Sequence, residues 1–130
     1  MKQAKPRPKL PKISDEMKAW SAALEREVGD WSQVTASSFF GLTAFHRKDK
    51  IFALLPRTRS MGTANSLAFK LHTPTPSFRA RLNADARIGS LQMQKSRWFR
   101  FEISSQGDLH DALDWLGTAY EAAAKKKKQS

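Results

Sequence analysis

Residues 42 to 55 read Leu42-Thr43-Ala44-Phe45-His46-Arg47, Lys48-Asp49, Lys50-Ile51-Phe52-Ala53-Leu54-Leu55. Two apolar-rich runs of strand length flank a two-residue polar connection, the pattern of an antiparallel hairpin. Period-two alternation recurs downstream. Leu67, Phe69 and Leu71 alternate with Ala68 and Lys70, and Phe99, Phe101 and Ile103 alternate with Trp98, Arg100 and Glu102. These are four strands, with a fifth expected near Leu91 to Gln94. Between them Pro56 to Asn65 reads as a polar, glycine-containing loop, and Ser77 to Ala84 as a short helix on the sheet.

Outside this block the period changes. Ser14 is placed to cap a helix with Asp15 and Glu16 in its first turn, and Met17, Trp20, Leu24 and Val28 follow at helical spacing until Gly29. At the far end Asp108, with Asp111 three residues on, is expected to cap a last helix. Its apolar stripe is Leu109, Ala112, Leu113, Leu116, Ala119 and Tyr120. Strands gathered between helices, rather than alternating with them, predict an α+β domain. The expected architecture is an antiparallel sheet of four to five strands with an N-terminal and a C-terminal helix packed on one face. The chain's 130 residues, 40% of them hydrophobic, suffice for one core. We therefore expect a single domain over residues 13–124, a basic Pro-rich tail over 1–12 and a Lys-rich tail over 125–130, both tails disordered.

Charge is segregated within a net +11. Residues 46 to 101 hold twelve Lys/Arg against Asp49 and Asp85, whereas 102 to 124 hold five acids and no Lys or Arg. Clustered positive charge draws polyanions over a Debye length of about 8 Å at physiological salt. Alternation places Lys70, Trp98 and Arg100 on the sheet face turned away from the helices. Cations beside an aromatic are what phosphate neutralisation with base stacking requires. The candidate nucleic-acid-binding set is Arg47, Lys48, Lys50, Arg57, Arg59, Lys70, Lys95, Arg97, Trp98 and Arg100. A solvated sheet face that merely carries Lys and Arg, with Trp98 covered by a helix or loop, fits the same residues. So does a protein-interaction or small-molecule-binding module with an incidental basic surface.

The pattern argues against chemistry. There is no cysteine, no Gly-x-Ser-x-Gly elbow, no phosphate-cradling glycine loop and no metal-ligand spacing among His46, His72 and His110. The sharpest enzymatic alternative is a ribonuclease using His46 and His72 as acid and base with Lys70 as the stabilising cation. Strand histidines are more often structural. No cofactor is expected, and neither is a membrane partner, since no apolar run is long enough to span a bilayer. The cytoplasm is the expected compartment. The remaining aromatics, among them Trp20, Trp31, Phe39, Phe40, Phe45 and Trp115, are expected in the core.

Lys50-Ile51-Phe52-Ala53-Leu54, Ser66-Leu67-Ala68-Phe69-Lys70-Leu71, Trp98 and the closing segment Asp108-Leu109 to Ala119-Tyr120 resemble the corresponding strings of the small bacterial YjbR/MmcQ-like domains. Distant relatives of that family are the TfoX N-terminal and YdhG types. The resemblance spans residues 40 to 122. It implies an antiparallel sheet with helices on one side, no cofactor, and DNA binding by analogy of fold.

Overall fold

The computed structural model describes residues 10–61, 63–72, 75–91 and 97–124. Helix α1 (Asp15–Gly29) leads into β1 (Val34–Phe39), β2 (Leu42–Arg47), β3 (Lys50–Pro56) and β4 (Ser66–Lys70). Helix α2 (Pro76–Ala84), β5 (Ile88–Ser90), β6 (Trp98–Glu102) and helix α3 (Leu109–Ala124) complete the order. The six strands form one antiparallel sheet in the order β1-β2-β3-β4-β6-β5. The chain is thus α+β, with two strands more than the four firmly expected. One of these, β1, was missed because Thr35-Ala36-Ser37-Ser38 carries no apolar alternation. The other, β5, lies upstream of the segment expected, whose Gln92 to Gln94 lie outside the described residues.

The helix starts follow their caps. The Ser14 hydroxyl accepts from the Met17 amide at 3.0 Å, and Thr75 does the same for Phe78 at 3.2 Å, with Pro76 opening α2. Asp108 acts differently from the expectation. It sits in a 3-10 turn (Gln106–Asp108) and accepts backward from the amides of Ser104 and Ser105, while α3 starts at Leu109.

The main core lies between the sheet and the helices. Met17, Leu24 and Val28 of α1 and Ala112, Trp115, Leu116, Ala119 and Ala123 of α3 pack on Phe45, Phe52, Ala53, Leu55, Leu67, Phe69, Phe99 and Phe101. A register shift between Phe45 and His46 leaves Phe52 without a partner on β2. Both Phe52 and Ala53 therefore reach the helix side, as a bulge allows. Phe69 stacks on Trp115 with centroids 5.5 Å apart, tying β4 to α3.

The opposite face is not solvated. Leu42, Ala44, Leu54, Ala68 and Trp98 form a second apolar cluster, against which Leu10, Ile51, Met61 and Leu91 pack. Leu10–Lys12 belongs to the folded unit, which corrects the expected boundary at residue 13. Lys12 bridges to Arg59, the Ser60 amide donates to Pro11 O, and the Arg59 guanidinium donates to Leu10 O. The expected tails over 1–9 and 125–130 lie outside the described residues. Among those described, no helix is long and apolar enough to cross a membrane.

Candidate nucleic-acid interface

The cationic sheet face expected from alternation is divided by the fold. Trp98 does face away from the helices, opposite Lys70, but it is only 3% exposed beneath the second cluster and cannot present a ring to a base. Arg100 lies across Gly89 of β5 and reaches Glu102 at 3.4 Å. Arg47 is turned inward. Its guanidinium sits 3.9 Å from the Tyr120 ring centroid and donates to Tyr120 O and the Gln33 side chain, fastening β2 to the end of α3. Lys95 lies outside the described residues.

The other candidates separate to the two ends of the strands. At the β2–β3 turn, Lys48 and Lys50 are exposed, and the antiparallel register brings Lys70 of β4 and Arg97 before β6 to the same end. His72 sits among them. Its Nε2 is 2.8 Å from Ile51 O, and its own carbonyl accepts from Arg97 at 2.9 Å. Burial lowers the His72 pKa, the bond to Ile51 O opposes that, and the charges of Lys70, Lys50 and Arg97 lower it further. His46 pairs with Ile51 on the other side of β3. Strand β3 thus runs between the two histidines, an inter-strand spacing of about 5 Å on each side.

At the opposite end, β1 turns into β2 through Phe40 and Gly41, both with positive φ, +47° and +86°. Two-residue hairpin turns of this hand favour Asn-Gly. A phenylalanine in the left-handed region is costly, and here the cost gains no core contact, since the Phe40 ring is 79% exposed and Phe39 36%. This corrects the expectation that both are core residues. The amides of Arg57, Thr58 and Arg59 all donate to Gly41 O, at 3.0, 2.9 and 3.1 Å. A Cβ on Gly41 would lie 2.7 Å from Arg59 Cγ, so only glycine admits the arginine stem there. The backbone of both arginines is thereby tied to the turn, with the Arg59 stem against Gly41, next to an exposed aromatic pair whose rings meet edge to face at 5.0 Å. Two shallow grooves meet at Gly41 and Thr58. One, of about 370 Å3, runs along Leu10, Phe40 and Arg59; the other, of about 460 Å3, along Lys18, Ser38, Leu42 and Arg57. Burial raises the pKa of Glu25 on α1, and the nearby Arg57 charge opposes the rise.

Sequence reasoning also passed over Arg87. It donates to Asp85, Asp108 and Asp111 at 2.8 to 3.0 Å, with its guanidinium 4.7 Å from the Phe101 ring centroid. Nearby, His110, Asp111 and Asp114 bring one ligand atom each within 4.8 Å of one another, but Asp111 is already held by Arg87. The signal that could have found Arg87 was its spacing from Asp85, two residues before it in a chain that is otherwise basic there.

Comparison with protein-family models, with curated proteins and with solved structures gave no match to this chain.

Proposed function

We propose that this protein is a non-enzymatic domain that binds single-stranded nucleic acid at its β1–β2 tip, with Phe40 and Phe39 stacking on bases and Arg57, Arg59 and Lys18 neutralising phosphates. The observation that carries this reading is Phe40, its backbone at φ +47°, its side chain 79% exposed, in a turn to which the backbone of Arg57 and Arg59 is tied. Cations next to an aromatic face are the chemistry of sequence-tolerant strand binding. The expected role for Trp98 passes to Phe40. The YjbR/MmcQ resemblance and its DNA-binding analogy point the same way without adding a residue.

The test is fluorescence anisotropy of the full chain with single- and double-stranded oligonucleotides across a salt series. Phe40→Asn is expected to weaken single-strand binding by about 1–3 kcal/mol and duplex binding hardly at all. Removing Arg57 should lower the single-strand salt slope by about 0.7. Wild-type affinity and slope in both variants would place any binding elsewhere on the chain and end the reading. Binding of anionic vesicles, but not of oligonucleotides, would replace the strand by a lipid surface.

A further inference from the structure

We infer that one molecule bridges two nucleic-acid segments, one at each end of its sheet; this rests on the strand-binding reading of the tip. The second site is the β2–β3 turn end. Lys48 and Lys50 project there beside Lys70 and Arg97, which the β3–β4–β6 register carries to the same end, and among the described residues none of the four forms a salt bridge. The backbone holding them is tied together, since the Leu71 amide donates to Arg97 O at 3.0 Å and Arg97 donates to His72 O. Asp49, Ala123 and Ala124 line a groove with Arg47, Lys48 and Lys50, one acid against three cations.

The two cationic ends are separate sites and not one track. They stand about 20 Å apart, the length of the seven-residue strand β3. Among the described residues, three of the routes between them offer phosphate little. The second sheet face is closed by the apolar cluster around Trp98, strand β1 carries no charged residue, and α3 presents Asp111, Asp114 and Glu121. A strand held at one end therefore leaves the other end free for a different segment. Like charge at both ends also argues against the ends docking on each other, because cation would face cation.

Bridging is read as energy transfer between two non-complementary single strands, one carrying a donor and one an acceptor, mixed with the full chain. Anisotropy of each strand alone reports simple binding. Transfer should peak near one protein per two strands and collapse in excess protein, when each molecule holds a single strand. In Lys48→Ser/Lys50→Ser the transfer should fall about tenfold and the single-strand salt slope by about 1.4, while Phe40→Asn placed in that background should still weaken single-strand binding about as much as in wild type. In a full-length variant with Lys125 to Lys128 changed to serine it should persist. Four results would overturn the inference: strand binding without transfer; transfer unchanged in Lys48→Ser/Lys50→Ser; transfer lost with the C-terminal lysines alone; or transfer rising steadily with protein, which marks self-association. Absence of any strand binding would remove the tip reading as well.

Discussion

The junction of α2 with α3 and the β1–β2 tip both bring arginine to an aromatic ring, with opposite consequences. At the junction Arg87 lies over Phe101 and is gripped by three aspartates, so its charge is spent inside the molecule. Arg81 lies 4.5 Å over the ring centroid of Trp115, which is itself buried. At the tip the rings of Phe39 and Phe40 are outside, and among the described residues neither Arg57 nor Arg59 forms a salt bridge, although the Arg57 charge is felt by Glu25. The same pair of residue types therefore serves as mortar in one place and as an open surface in the other. What separates them is local acid content and ring burial, neither of which net charge reports.

The largest effect should come from the aromatic that alternation placed on the cationic face. Trp98 is buried among Leu42, Ala44, Leu54 and Ala68, so Trp98→Ala leaves a cavity and should cost about 3–5 kcal/mol in urea unfolding. Affinity for single strands, measured where the variant is still folded, should be unchanged. Loss of binding with full stability would return Trp98 to the interface and undo the contrast.

Arg87→Ala should come next, at about 2–3 kcal/mol, because it leaves Asp85, Asp108 and Asp111 facing one another without their cation. Its acid limb is a sharper test. The hydrogen bond from Arg87 holds the Asp85 carboxyl below its ordinary 3.8, and the Ser104 amide, aided by Arg87, does so for Asp108. Stability from these groups is present above the unfolded value and disappears as pH falls through the lower folded one. The slope of stability between about pH 4 and 2 should flatten in the variant. Oligonucleotide binding should not weaken.

Phe40→Asn should act with the opposite sign on stability. Asparagine tolerates positive φ, so the turn should gain about 1 kcal/mol while strand binding falls. A variant that is stabilised and binds as well as wild type would make Phe40 a defect of the turn and not a contact.

How much of this was legible depended on whether a residue's partner was near in sequence. The α+β class, the β2–β3 hairpin and helix α1 were readable, because caps and periodicity are local and Ser14 meets Met17 within one turn. Strand β1 was not, because an exposed edge strand of small polar residues has no inward face to alternate. The exposure of Phe40 was hidden for the same reason: without β1 there was no turn to place it on. The burial of Trp98 required knowing that Leu10, Met61 and Leu91 fold over the far face, contacts that no pattern in the sequence announces. Six of the ten candidate residues remain outward and cationic or half-buried at the two ends: Lys48, Lys50, Arg57, Arg59, Lys70 and Arg97.

The smallest expected effect probes the β2–β3 end, where the contrast with the junction is most delicate because the cations face a single acid, Asp49, and enclose a histidine. Burial lowers the His72 pKa from 6.5, with Lys70, Lys50 and Arg97 adding to the shift, so the folded protein prefers the neutral ring. The unfolded chain then binds more protons between the two pKa values. Stability is accordingly full above about pH 6.5 and is lost as pH falls through the lower folded value. The ring is half exposed, and solvent screening keeps the loss to a few tenths of a kcal/mol. His72→Gln retains a donor for Ile51 O and cannot titrate there, so urea midpoints of this variant at pH 7.5 and 5.5 should differ less than those of wild type. A bound phosphate reverses the sign of the surroundings. If the Lys48–Lys50–Lys70–Arg97 end takes up a strand, the His72 imidazole resonances followed by NMR should titrate at higher pH with oligonucleotide present than without it. An unmoved His72 titration under saturating oligonucleotide would show that the strand does not occupy this end.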